Sequence, residues 1–148
     1  MPAPSYAECN PWLLNTCAPW KGRYANGLER QTKRPTVTFE QFRILRVPFP
    51  FTDQNATKNR PALVLSSAEV FNRPAGHSVL AMITSAKNPA WPLDCPITDL
   101  HSAGLSAPSV IRCKLFTLDH RLVRGALGFL TDVDAHAIND RLRQLFQL

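Results

Sequence analysis

Val47-Pro48-Phe49-Pro50-Phe51-Thr52-Asp53, then Gln54-Asn55-Ala56-Thr57-Lys58-Asn59, then Arg60-Pro61-Ala62-Leu63-Val64-Leu65-Ser66-Ser67, is the stretch around which this chain is organised. It opens as the end of a strand, breaks at alternating prolines and aromatics, and crosses a polar loop. It then returns through Arg60-Pro61 into an apolar run that reads as a buried strand. Pro48 and Pro50 have no N–H for a ladder, so pairing is expected to stop or bulge there. A loop that ends in an arginine at the mouth of a strand suits anion chemistry. The guanidinium is planar, permanently charged and forked to match phosphate oxygens. The plainer reading of Arg60 is a surface ion pair, for example with Asp53.

Working outward, 148 residues make one domain's worth of chain, enough to bury a core without disulfide or metal staples. The hydrophobic share is that of an ordinary globular protein. No apolar run approaches the ~20 residues of a membrane span. Trp12-Leu13-Leu14 is too short for a signal sequence, and the expectation is a cytoplasmic protein with no membrane partner. Cys9, Cys17, Cys95 and Cys113 match no metal motif, nor do His77, His101, His120 and His136. Reduced thiols, no metal site and no cofactor are expected.

The net charge is +6, and half of it lies near the start. Lys21, Arg23, Arg30, Lys33 and Arg34 there outnumber Glu8 and Glu29. The body is only mildly basic, so charge alone says little about nucleic acid. Residues 1–35 are dense in Pro, Asn and Gly and show no periodicity, which predicts a poorly ordered extension ahead of a domain at 36–148. In that domain, strands are expected at Thr36–Phe39 (an edge), Phe42–Val47, Ala62–Ser66, Ser78–Thr84, Leu93–Ile97 (interrupted by Pro96), Ser109–Leu118 and Val123–Leu130 (broken by Gly125 and Gly128). Asn72–Gly76 is a turn cluster. Thr131 caps a helix in which Ala135, Ile138, Leu142, Leu145 and Phe146 recur at helical spacing. Six or seven short strands and one terminal helix predict a mainly β fold, a small antiparallel barrel closed by a helix.

Other candidates carry two readings each. Thr84 and Ser85 end a strand, where their hydroxyls either bind a phosphate gripped by Arg60 or close a turn. Arg112 and Lys114 alternate on one face of Ser109–Leu118, as a phosphate track or as an ordinary solvated face. Phe49 and Phe51 stack on bases or pack in the core. Asp119-His120 is an acid–base pair or a structural turn. The chain has no paired carboxylates, Ser-His-Asp set or phosphate-cradling glycine loop.

Phe39–Ser66, Ile83-Thr84-Ser85, and Gly104–Arg112 with Lys114–Asp119 together resemble, in order, three motifs of the PemK/MazF family of type II toxin–antitoxin toxins, the mRNA interferases. The resemblance implies an SH3-like barrel of the CcdB/PemK kind with a C-terminal helix. It implies a homodimer held inactive by a cognate antitoxin protein, and DNA binding by the toxin–antitoxin complex. The implied activity is metal-independent, sequence-specific cleavage of single-stranded RNA by attack of the 2′-hydroxyl on the adjacent phosphate. On this pattern Arg60 stabilises the phosphate, and Ser85, with Thr84 beside it, orients it. Asp53, Lys58, Phe51, Arg112 and Lys114 are the candidates for contact with RNA.

The chain departs from the family at Phe42-Arg43, where Gly-Asp or Phe-Asp is common, and at Gln54-Asn55, where some members carry an acid or histidine. Ala107 and Ser109 stand where other members have Arg and Asp. No general base is assigned by the resemblance. The alternatives are a catalytically weak or inactive member, or a CcdB-like gyrase-directed toxin acting by protein binding. Gyrase poisoners of that type use tryptophan-containing C-terminal residues, whereas this chain ends Phe146-Gln147-Leu148.

Overall fold

In the computed structural model of the chain, residues 37–49 and 58–148 are described. The expected extension at 1–35, and Phe51, Asp53 and the loop up to Thr57, lie outside them. Six strands form one antiparallel sheet: β1 (Arg43–Phe49), β2 (Lys58–Val64), β3 (His77–Ser85), β4 (Cys95–Pro96), β5 (Ser109–Asp119) and β6 (Gly125–Phe129). Their order is β4-β5-β3-β2-β1-β6. Helix α1 (Arg73–Ala75) continues a π-helical turn at Ala68–Asn72 and ends on left-handed Gly76, where the turn cluster was expected. Helix α2 (Asp132–Phe146) follows β6.

Both faces of the sheet are covered, which is why β1 and the end of β2 read as apolar runs rather than clean alternations. One face packs Ile44, Leu63, Ala81, Ile83 and Ile111 against Ile97, Ala103 and Leu130 and against Ala135 and Ile138 of α2. Cys95 of β4 and Leu127 of β6 join this same cluster. The two edge strands therefore meet around one core, and the sheet curls into a half-barrel with the helix across it. The opposite face packs Leu45, Val47, Phe49, Ala62, Val64, Leu80 and Leu118, with Phe39 at its end. Phe49 belongs to this core, edge-on to Phe116 with ring centroids 5.0 Å apart.

Three expectations are corrected. Residues 37–40 form no strand; a turn follows, with Phe42 at φ 64°, and it redirects the chain into β1. Phe39 is nevertheless buried, and its carbonyl accepts from Asn72 Nδ2 at 2.7 Å. Pairing does not stop at Pro48, which lies opposite Asn59 with Phe49 opposite Lys58 beyond it. The Arg46 carbonyl accepts from Arg124 N, so the even positions of β1 direct their backbone groups toward β6. β6 pairs no further along β1 than Arg46, so among the described residues the missing N–H of Pro48 faces no paired strand. Third, Gly128 does not end β6, although the strand begins only at Gly125 and its ladder to β1 skips Leu127 beside Gly128. A Cβ at Gly128 would sit 2.2 Å from the Ser102 carbonyl oxygen, so glycine is what lets the 99–105 segment lie against the strand. Phe129 N donates to that same carbonyl at 2.9 Å.

Helix α2 starts where the cap predicts. Thr131 Oγ1 accepts from Asp134 N. The buried Asp134 carboxylate accepts from Thr98 N at 3.0 Å and Thr98 Oγ1 at 2.9 Å, tying the helix to the chain just after β4. No described helix is long and apolar enough to cross a membrane.

Candidate active site

Arg60 is placed by β2, opposite Val47 of β1. Directly opposed residues of an antiparallel pair share a face, so Arg60 lies on the face that carries Val47 and Ala62. Lys58, opposite Phe49, lies two residues along the same face and is exposed. Arg60 itself is half-buried and makes no ion pair among the described residues.

β3 brings the hydroxyls. Ala62 lies opposite Met82; by the period of two, Arg60 shares the face of Ala62 and Thr84 that of Met82, so the two lie on one face, beyond the last pair of the β2–β3 ladder. Thr84 is 5% exposed, and its Oγ1 accepts from Asn88 Nδ2 at 2.6 Å. A hydroxyl has one hydrogen to give besides the lone pairs it offers, and Thr84 makes no donation to another described residue. Ser85, the next residue, falls on the opposite face by the period of two. It is exposed; its Oγ accepts from Lys87 N at 3.3 Å and its carbonyl from Asn88 N at 3.1 Å. Of the two hydroxyls the sequence offered, Thr84 shares a face with Arg60 and Ser85 closes the turn.

Arg112 is not on the open basic track expected from the alternation of β5. It lies opposite Met82, on the same face as Arg60, but its side chain is only 8% exposed. Cys95 pairs with Ile111; one residue back in that register, Asp94 comes opposite Arg112. Nε reaches Asp94 Oδ1 at 3.0 Å, and Nη2 reaches Asp94 Oδ2 and the Pro89 carbonyl, both at 2.7 Å. The guanidinium also lies 4.8 Å from the ring centroid of Trp91. Arg112 holds the Asp94 carboxylate below its ordinary pKa. Lys114 falls in a bulge: Met82 pairs with Arg112, but the neighbouring Ala81 pairs with Leu115, leaving Cys113 and Lys114 between. Lys114 is half-buried there.

His120 lies at the far end of β3. Its Nε2 contacts Ser78 Oγ at 2.8 Å, and its ring stands edge-on to Phe39. Six residues of strand, roughly 20 Å, separate Ser78 from Thr84. Burial pushes the His120 imidazole below its ordinary pKa. Asp119 is held by Arg121, whose guanidinium lies 2.5 Å away, and by the Arg121 backbone, which together keep its carboxyl far below the usual range. The pair is therefore a structural turn. Among the described residues no three His, Cys, Asp or Glu side chains converge, and burial pushes the Cys95 and Cys113 thiols up, away from the reactive thiolate.

Sequence reading missed Asn88 and Asp94. Neither belongs to a motif; each acts through a loop that returns to the sheet. An acid just before the short strand that ends in Pro96 was the available signal.

A curled antiparallel sheet closed by a terminal helix, with Arg60 and Thr84 on one face and Arg60 in no ion pair among the described residues, defines a small barrel. The chain belongs to the PemK-like, MazF-like toxins of type II toxin–antitoxin systems, whose family model matches residues 40–146. Comparison with curated protein sequences gives no match. Among solved structures, MazF from Deinococcus radiodurans is similar over 76% of this chain and 99% of its own, at 20% identity and a TM-score of 0.61. Mycobacterium tuberculosis toxin MazF-mt6 is similar over 72% and 97%, at 22% identity and a TM-score of 0.56. MazE-MazF from Deinococcus radiodurans is similar over 76% and 99%, at 22% identity and a TM-score of 0.61. At these identities the likeness is one of fold.

Proposed function

We propose that this toxin is an endoribonuclease that cleaves single-stranded RNA without a metal ion. The supporting observation is that Arg60, free of ion pairs among the described residues, lies on the same sheet face as Thr84 of the neighbouring strand. The nucleophile comes from the substrate. The 2′-oxygen forms a bond to the adjacent phosphorus as the bond from phosphorus to the 5′-oxygen breaks. The products are a 2′,3′-cyclic phosphate and a free 5′-hydroxyl. One proton leaves the 2′-hydroxyl and one is taken up by the departing oxygen.

Charge gathers on the phosphoryl oxygens during this exchange, and a preorganised donor is most effective where charge develops. Arg60 supplies a permanently charged, forked donor from a paired strand, and the Thr84 hydroxyl a second donor held in place by Asn88. Lys58 extends the positive face toward the substrate backbone. Asp94 is unsuited to act as the base, because its carboxylate is committed to Arg112.

The same reading extends to assembly and place. A homodimer in the cytoplasm, restrained by a cognate antitoxin that confers DNA binding on the complex, fits a family whose solved relatives include a mycobacterial endoribonuclease in complex with its cognate antitoxin. The test is incubation of purified protein with single-stranded RNA in EDTA, followed by end-group analysis. Cyclic phosphate and 5′-hydroxyl ends are expected. Dependence on a divalent metal, or 5′-phosphate ends, overturns the mechanism.

A further inference from the structure

Trp91 is half exposed, at 50%, yet it is not loosely held. Its ring lies against the Arg112 guanidinium. Its backbone N donates to Asp94 Oδ2 at 2.9 Å, and its carbonyl accepts from Asp94 N at 3.3 Å. Arg112 in turn is fixed by Asp94 and by the Pro89 carbonyl. An exposed indole normally trades contact with water against freedom to rotate. Here the ring is committed to a buried cation and half of the residue still stays exposed.

The same segment reaches the site. Asn88, three residues before Trp91, donates to Thr84, and Arg112 lies opposite Met82, two residues from Thr84 on the Arg60 face. A single network thus links the Thr84 hydroxyl, the 88–94 segment and the indole. A phosphate at Arg60 and Thr84 would bring a neighbouring nucleotide toward this ring.

Resting on the ribonuclease reading, we infer that Trp91, backed by Arg112, is a stacking platform for an unpaired base of the RNA next to the cleaved bond. Every base has a π-face, so stacking selects by ring area rather than by hydrogen-bonding edge. The platform therefore favours a purine over a pyrimidine without demanding one base. Arg112 and Asp94 are positioning residues that act through Trp91.

The test begins by mapping the cleavage site on a long unstructured transcript. Binding is then measured on a short single-stranded RNA carrying that site, made uncleavable by a 2′-deoxy sugar at the attacking position. Trp91→Ala is expected to weaken binding about 10- to 100-fold, and Trp91→Phe to keep most of the affinity. Removing one base beside the cleaved bond should cost the parent a similar factor and cost Trp91→Ala almost nothing more. Thermal melting establishes that both variants are folded. Undiminished binding by Trp91→Ala, or losses from the variant and every abasic position that simply multiply, overturns the platform. In that case cleavage by the parent leaves the ribonuclease reading standing. A parent protein that neither binds nor cleaves RNA overturns both, and loss of antitoxin binding alone in Trp91→Ala makes the indole a protein contact instead.

Discussion

The Arg112 guanidinium grips both carboxylate oxygens of Asp94, Nε to Oδ1 at 3.0 Å and Nη2 to Oδ2 at 2.7 Å, with both side chains almost wholly out of solvent. A forked pair of this kind is more than a surface ion pair, because it joins β5 to the segment leading into β4. Replacing Arg112 by Met leaves the carboxylate without its donor while keeping most of the side-chain volume. A loss of about 1.5–3 kcal/mol is expected, read as a lower urea midpoint with unchanged slope. A variant within about 0.5 kcal/mol of the parent would mean that the pair contributes no more than an exposed one.

The same pair sets an acid limit. Arg112 first, and then the Trp91 backbone N–H, hold the folded-state Asp94 below its ordinary pKa against the opposing effect of burial. A carboxyl depressed in the folded state contributes stability that is present above the unfolded value of about 3.9 and lost as pH falls through the folded value. The melting temperature should therefore drop on acidification below about pH 4. Asp94→Asn should start lower and lose less over that window. Parallel acid curves for the two proteins would show that other carboxyls carry the effect.

The topology was legible because the hydrophobic spacing survives folding: β3, β5 and α2 fall where the apolar runs, turn residues and Thr131 cap put them, whereas β2 starts at Lys58 rather than at the expected Ala62, because Lys58–Pro61 also pair with β1. What escaped was set by partners distant in sequence. Pro48 looked like a ladder's end because its tolerance in β1 depends on where the pairing with β6 stops. Arg112 looked solvated because alternation along β5 cannot reveal Asp94 arriving from another strand. Thr84 and Ser85 were adjacent letters, and only the register with β2 tells which of them faces Arg60.

Gly128 illustrates a constraint of the same long-range kind. A methyl group there would meet the backbone of Ser102 and Ala103, with the nearest atom at 2.2 Å, and backbone cannot swing aside as a flexible side chain can. Gly128→Ala should cost about 1–3 kcal/mol or more through overpacking. Gly76→Ala is the control: it meets open space and strains only a left-handed backbone at φ +65°, for about 1–2 kcal/mol. If chemical denaturation ranks Gly76→Ala as clearly the worse, the close approach of the 99–105 segment is not what glycine serves at 128.

The site itself is tested by three single substitutions whose ranking follows from the sheet. Arg60→Ala removes the cation on this face and should slow RNA cleavage about 10²–10³-fold. Thr84→Ala removes a single neutral donor on the same face and should cost less than Arg60→Ala, though still at least about tenfold, since a net neutral hydrogen bond is worth roughly 0.5–1.5 kcal/mol in water and more where charge develops. Ser85→Ala, on the opposite face, removes only the turn contact to Lys87 N and should stay within about threefold of the parent, given the same energy scale. Single-turnover rates on one RNA, with urea melts to exclude unfolding, decide the order. Should Ser85→Ala be the more damaging of the two hydroxyl variants, the substrate approaches the turn at Ser85–Asn88 rather than the Arg60 face, and Thr84 is a residue of the core.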